Sequence, residues 1–182
     1  MKRKSLSVTK KTLNFYLTKL KDPQVRKLYS LFSNNLASMD LTNKKIMVGV
    51  SGGADSLAVL FFSQCYALKH HTKLYPVIID HKLRKESTIE AKNLKYKLKQ
   101  NFKINCKILS KKIVKINKNI QSYARDLRYD LFFEECNKQK IDYLILGHHK
   151  DDLIENFFIR FLRGSGLKGL VSFDENLSLI HI

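Results

Sequence analysis

Ser51-Gly52-Gly53-Ala54-Asp55-Ser56 follows directly on the apolar run Ile46-Met47-Val48-Gly49-Val50, and the reading of this junction decides the fold. A buried strand that breaks into Ser-Gly-Gly and then enters a helix builds a small anion cradle. Two glycines let backbone N–H groups approach a phosphate closely, and the helix N-terminus adds the positive end of its dipole. The Ser51 and Ser56 hydroxyls can donate to the same oxygens. Asp55 is the odd member. Beside a phosphate, a carboxylate either shares a divalent cation or steadies the loop by accepting N–H bonds. The bland alternative is a helix capped by Asp or Ser after a tight turn, which any α/β protein can hold. Two commoner phosphate motifs are excluded: no Gly-Lys-Ser/Thr follows as in a Walker A loop, and the third glycine of a dinucleotide fingerprint is missing.

Outward from this junction the sequence alternates strand and helix. Strands are expected over 46–50, 74–80, 104–109 and 143–147, with Pro76 weakening the second. Helices are expected over 55–69, 86–100, 121–138 and 151–163, the last stopped by Gly164-Ser165-Gly166. Such alternation predicts an α/β fold, a parallel sheet with helices on both faces and ligands at the carboxyl ends of the strands. Upstream, residues 1–45 are basic. Leu13, Leu17 and Leu20 predict one short amphipathic helix, and Val25, Leu28, Leu31, Phe32 and Leu36 another after Pro23. That segment either covers the sheet or touches RNA, and covering is the favoured reading. After Leu170 the sequence runs through Asp174-Glu175 into an apolar stretch, which reads as a truncated tail over 171–182.

The chain has 182 residues and a formal charge of +18, which points to a polyanionic partner. Lysine-rich drift on solvated faces competes with that reading. Arginine is more discriminating. Only seven are present, and five of them (Arg84, Arg125, Arg128, Arg160, Arg163) fall in the stretches that carry chemistry. Cys65, Cys106 and Cys136 are widely separated, which suits a reducing cytoplasm and core packing rather than a disulfide or zinc framework. No apolar run is long enough to span a bilayer, and no secretory signal pattern follows the first residues.

Three of the expected strands end in polar clusters, and one sheet edge with three such clusters is where an active site belongs. The first is the Ser-Gly-Gly loop. The second is Asp80-His81-Lys82-Leu83-Arg84-Lys85-Glu86-Ser87. The third is Gly147-His148-His149-Lys150-Asp151-Asp152 with Glu155 inside the following helix. Asp151, Asp152 and Glu155 share adjoining parts of one helical face. They can hold magnesium, accept protons from an attacking amine or receive a cationic substrate, or they can be a cap with exposed acids. Arg125 and Arg128, three apart on one face, either stabilise polyphosphate charge or pair with Asp126 and Asp130. Arg160, Arg163 and Lys168 surround a glycine-rich turn that either contacts RNA phosphates or complements a helix C-terminus.

Taken together, Val48-to-Ser56 (VGVSGGADS), Asp80-to-Ser87 (DHKLRKES), Gln121-to-Tyr129 (QSYARDLRY) and Leu146-to-Leu170 (LGHHKDDLIENFFIRFLRGSGLKGL) resemble the tRNA(Ile)-lysidine synthetase family. This is a branch of the N-type ATP pyrophosphatases with their PP-loop. The resemblance implies an adenine nucleotide alpha hydrolase-like, Rossmann-like fold. It implies a basic helical extension over 1–45, a catalytic domain over 46–170, and the absence of the C-terminal tRNA-binding domains with which the family usually continues. ATP and Mg2+ are the implied cofactors. A CAU-anticodon tRNA(Ile) and free L-lysine are the implied partners; a homodimer is compatible with it and a membrane is not expected. Carried over by position, Ser51, Gly52, Gly53, Ala54, Asp55 and Ser56 would hold ATP. Asp55 and Asp152 would bind the metal, and His148, Asp152, Glu155 and Asp55 would be catalytic. Arg125, Arg128, Arg163 and Lys168 would meet phosphate or tRNA. The resemblance also leaves two alternatives: a PP-loop tRNA thiolation enzyme, which would need cysteines suited to carrying sulfur, and an inactive tRNA-binding remnant.

Overall fold

Among the described residues, five helices and four strands follow the expected alternation. The structure, a computed structural model, describes residues 10–37, 39, 41, 43–111 and 120–147. Strands β1 (Lys45–Gly49), β2 (Lys73–Asp80), β3 (Lys107–Ser110) and β4 (Tyr143–Leu146) form one sheet in the order β3-β2-β1-β4. All three neighbouring pairs are parallel. Helices α1 (Lys10–Lys19) and α2 (Pro23–Ala37) precede β1, and α3 (Ala54–His70), α4 (Ser87–Phe102) and α5 (Ile120–Gln139) follow successive strands.

The topology sets which helix covers which face. The steps β1 to β2 and β2 to β3 move one way along the sheet, and the step β3 to β4 returns across β1. Right-handed crossovers then put α3 and α4 on one face and α5 on the other. The two apolar clusters agree. Ile46, Val48, Val50, Ile78 and Ile145 pack with Leu60, Leu98 and the N-terminal helices. Met47, Val77 and Leu146 pack with Phe132. Consecutive strand residues thus face opposite cores, as the two-residue period of a strand requires.

Pro76 sits in β2 at no loss to the sheet. The Val77 carbonyl accepts the Val50 N–H at 2.8 Å, and the Lys73 N–H donates to the Lys44 carbonyl at 2.9 Å. Odd residues of β2 therefore bond towards β1, and the side that lacks an N–H at Pro76 faces β3. Pairing with β3 begins only at Val77 opposite Lys107, so no ladder bond is lost.

Two expectations are corrected. In α1 the inward residues are Phe15 and Tyr16, while Leu13 and Leu17 are exposed and Leu20, just beyond the helix, packs on the core as expected; in α2 Leu28 and Leu31 are exposed, whereas Val25, Phe32 and Leu36 face the core as expected. Aromatic residues decide the helix phase because they bury more surface, and the Tyr16 hydroxyl also donates to the Phe102 carbonyl at the end of α4. The third strand is the second correction. It starts at Lys107 rather than residue 104, because the preceding residues end α4. Lys103 adopts a left-handed conformation (φ 57°), and the Ile104 N–H returns to the Leu98 carbonyl at 3.2 Å. Ile104 and Cys106 are buried all the same, so the alternation in the sequence reports burial and not pairing.

Both N-terminal helices pack on α3, since Tyr16 contacts Phe61, and Phe32 and Tyr29 contact Phe62. Helix α2 begins cleanly. The Asp22 carboxylate accepts the Gln24 and Val25 N–H groups at 2.9 and 3.1 Å, with Pro23 in the first helical position.

Candidate active site

At the carboxyl ends of β1, β2 and β4 lies a cleft of about 550 Å³, within the range of small-molecule sites. Its walls come from the β1 end (Gly49 to Gly52, with Ser56), the β2 end and the loop beyond it (Ile79, His81, Leu83, Arg84), α4 (Ala91, Leu94), α5 (Arg128, Phe132) and the β4 end (Leu146, Gly147).

The loop after β1 is curled around one oxygen. Ser56 Oγ accepts from the Ser51 N–H at 3.3 Å, the Gly52 N–H at 3.2 Å and the Ser51 hydroxyl at 3.1 Å. The Ser56 hydroxyl itself donates to the Gly53 carbonyl at 2.9 Å. Ser56 is 4% exposed, so it staples the loop from behind. Gly52 has φ +94°, and a Cβ there would stand 3.2 Å from Leu94 Cδ2; both facts favour glycine. The chain then enters α3 at Ala54 with no side-chain cap at Gly53. The positive end of the α3 dipole therefore stands at this loop, where it favours an anion. Asp55 is exposed in that first turn.

The β4 end is pressed against this helix start. A Cβ on Gly147 would lie 2.9 Å from both Cα and N of Ser56 and 3.0 Å from the Asp55 carbonyl carbon. Gly147 immediately precedes His148 in the sequence. His148, Asp152, Glu155, Arg163 and Lys168 lie outside the described residues.

The opposite wall is organised by Asp80, which is 3% exposed. Its carboxylate accepts the Ser87 hydroxyl at 2.8 Å, the Thr88 hydroxyl at 2.7 Å and the Lys82 N–H at 3.0 Å. Burial alone would raise its pKa. The hydrogen bonds from Thr88, Lys82 and Ser87 outweigh burial and hold it below the ordinary carboxylate value. Beyond it, His81 reaches the cleft with a buried Nδ1 that has no hydrogen-bond partner among the described residues. Burial, and then the Arg128 guanidinium, lower the His81 pKa, so the imidazole is neutral at neutral pH. Burial also lowers the pKa of Arg128, with Arg125 adding to it, yet a guanidinium stays charged.

Of the arginines singled out in the sequence, Arg84 and Arg128 line the cleft, Arg125 does not, and Arg160 and Arg163 lie outside the described residues. His81, Ala91, Leu94, Phe132 and Gly147 were not assigned roles from the sequence. The signals for His81 and Gly147 are present in the sequence, since each stands inside one of the polar clusters, directly after its strand. The contribution of Ala91 and Leu94 depends on the phase of α4. The arrangement fits a nucleoside triphosphate. Backbone N–H groups and a helix start serve the phosphates, Arg128 supplies positive charge, and Ile79, Ala91, Leu94 and Leu83 offer an apolar slot for a base.

A parallel sheet covered on both faces, with a Ser-Gly-Gly loop stapled at its edge, defines a class of phosphate-binding α/β proteins. The chain belongs to the PP-loop domain family, whose model matches residues 20–182. Membership indicates ATP binding. The tRNA(Ile)-lysidine synthase of Orientia tsutsugamushi (strain Boryong) is 44% identical over 130 residues, covering 71% of this chain and 29% of that protein. The enzymes of the same name from Wolbachia sp. subsp. Brugia malayi (strain TRS) and Rickettsia rickettsii (strain Sheila Smith) are 37% and 36% identical, covering 84% and 85% of this chain. The chain spans about a third of the length of these relatives. Among solved structures, the U34-tRNA thiolase NcsA from Methanococcus maripaludis with its [4Fe-4S] cluster matches with a TM-score of 0.66 at 22% identity, covering 92% of this chain and 59% of that one. The likeness shows the fold. No helix among the described residues is long and apolar enough to cross a membrane.

Proposed function

We propose that this chain carries the catalytic domain of a tRNA(Ile)-lysidine synthase, a cytoplasmic ATP-dependent carbon–nitrogen ligase. In the proposed reaction the C2 oxygen of the wobble cytidine of a CAU-anticodon tRNA(Ile) attacks the α-phosphorus of ATP, and pyrophosphate leaves. The ε-amine of free lysine then adds at C2, gives up its protons to a carboxylate, and AMP departs with that oxygen. The observation that carries this reading is the convergence of the loop 51–56, Arg128 and Gly147 on one cleft, in a chain similar to enzymes of that name.

In this scheme Ser51, Gly52, Gly53 and Ala54 hold the phosphates through backbone N–H groups. Ser56 fixes the loop, and Asp55 with Asp152 would ligate Mg2+. Arg128 balances charge on the triphosphate, and Arg125, Arg163 and Lys168 meet tRNA. His148, Asp152 and Glu155 receive the lysine ammonium and its protons. Residues 46–170 form the catalytic unit, and 1–45 form an extension whose described helices brace α3.

Thiolation is the rival. It requires an accessible sulfur carrier, and none of the three cysteines lines the cleft. Burial pushes the Cys65 and Cys106 thiols up to about 12, which keeps them protonated and unreactive. The test is pyrophosphate release with cognate tRNA, with and without lysine. Release should depend on lysine, and Asp55→Ala or Asp152→Ala should each reduce the rate by about a hundredfold or more. Turnover indifferent to lysine, or a fully active double variant, would overturn the assignment.

A further inference from the structure

Helix α4 has two working faces, and the cleft uses only one. Ala91 and Leu98 point into the core, and Ala91 and Leu94 line the cleft. On the opposite side, Ile89, Lys92, Tyr96 and Lys99 recur at i, i+3, i+7 and i+10, which places them on one exposed strip. The strip is about 15 Å long at 1.5 Å per residue. Ile89 and Tyr96 are 61% and 65% exposed. Between Ala91 and Lys103 there are five lysines (Lys92, Lys95, Lys97, Lys99, Lys103) and no acid.

Helix α5, across the sheet, is the opposite. Its exposed side carries Asp126, Asp130 and Glu134 at successive intervals of four, which repeat along one helical face; Glu134 is paired with Lys111 at 3.0 Å, so the acidic end of that face is Asp126 and Asp130. A lysine-rich composition by itself would spread charge over both helices. It does not explain one basic and one acidic face, nor an exposed aromatic among the lysines.

We infer that the outer strip of α4 docks the sugar–phosphate backbone of a folded RNA, beginning at the rim of the cleft and running away from it. The inference rests on the proposed function, in which the RNA is the tRNA substrate. The lysines neutralise phosphates, and Tyr96 and Ile89 supply a flat apolar contact for a ribose or an unstacked base. Beyond Arg125, the exposed acids Asp126 and Asp130 of α5 disfavour the same polyanion, so the body of the RNA lies along the α4 face.

The test uses the full chain and a tRNA(Ile) transcript, with binding followed by anisotropy across a salt series. Lys92→Glu/Lys99→Glu should weaken tRNA binding by at least tenfold and flatten the slope of log K against log salt by about 2. Tyr96→Ala should weaken binding severalfold without changing the slope. ATP affinity and the thermal midpoint should stay at wild-type values in both variants. Lys92→Ala/Lys99→Ala checks that loss of charge, and not reversal, suffices. A Lys19→Glu/Lys21→Glu control at the end of α1 should have a smaller effect. Affinity and salt slope within twofold of wild type in the α4 variants would overturn the inference and leave the proposed reaction standing. Impaired α4 variants of a chain that lacks lysine-dependent turnover would support the strip and sink the reaction. A wild-type chain that binds ATP but no tRNA would overturn both.

Discussion

Two loops leave the same edge of the sheet and build facing walls of the cleft, yet different atoms hold them. After β1 the loop closes on a neutral hydroxyl, Ser56 Oγ. After β2 it closes on a buried carboxylate, Asp80. The difference follows from what each wall faces. A neutral staple leaves the positive field of the N–H groups and of α3 intact for an anion, where a carboxylate would cancel it. The Asp80 charge is matched by donors of its own loop and sits behind the wall, so it stiffens the turn that carries His81, Leu83 and Arg84. The loop proposed to grip phosphate is lightly held, and the wall opposite is firmly anchored.

Removing the firm anchor is the strongest way to break this contrast. Asp80→Ala strands two hydroxyls and an N–H, and should lower unfolding free energy by about 3 kcal/mol, read from the urea midpoint. Asp80→Asn isolates the charge. The folded-state pKa of Asp80 is depressed. Its contribution is therefore fully present above the unfolded carboxyl value of about 3.9 and is lost as pH falls through the lower folded value. The groups facing it are Lys82, Ser87, Thr88 and His81, and because burial and Arg128 lower the His81 pKa, the comparison is repeated in a His81→Gln background to remove that titration. The stability gap between wild type and Asp80→Asn should hold above the unfolded carboxyl value of about 3.9, narrow as pH falls below it, and close as pH passes through the lower folded value. A gap constant with pH would show that the carboxylate is not the anchor.

Gly147→Ala tests the contact between the β4 end and the phosphate loop. The new Cβ meets backbone atoms of Ser56 and Asp55, which cannot swing aside as a side chain can. About 2 kcal/mol of stability should go, and ATP affinity should fall more than that loss explains, because the first turn of α3 shifts. Unchanged ATP binding in a folded variant would separate the β4 end from the phosphate site.

The sheet, its order of helices and the phosphate loop were legible because each is a local signal. Parallel strands buried on both faces read as apolar runs, and Ser-Gly-Gly marks a strand-to-helix junction within a few residues. Properties that depend on how elements rotate against each other were not legible. Arg125 and Arg128 lie on one helical face, but only the phase of α5 against the sheet decides that Arg128 reaches the cleft. The leucines of α1 gave a helix and the wrong inward side, because Tyr16 wins the core. The donors to Asp80 come from residues 82, 87 and 88 and converge only once α4 turns back over β2. The Ser56 hydroxyl stands in the loop motif, but that it donates to the Gly53 carbonyl of its own loop is visible only in the fold.

That bond makes Ser56→Ala the smallest and sharpest test. The variant removes one acceptor from two loop N–H groups and one donor from a carbonyl, all near solvent, so stability should fall by only about 1 kcal/mol. If the hydroxyl does no more than staple, ATP should still restore the loop by accepting the freed N–H groups itself. The variant would then show weaker ATP affinity through a slower on-rate, with a nearly unchanged dissociation rate in stopped-flow measurements. A rise in the dissociation rate with an unchanged on-rate would mean that Ser56 bonds directly to the bound phosphate. The loop would then be held by its ligand, and the contrast with the Asp80 wall would be greater still.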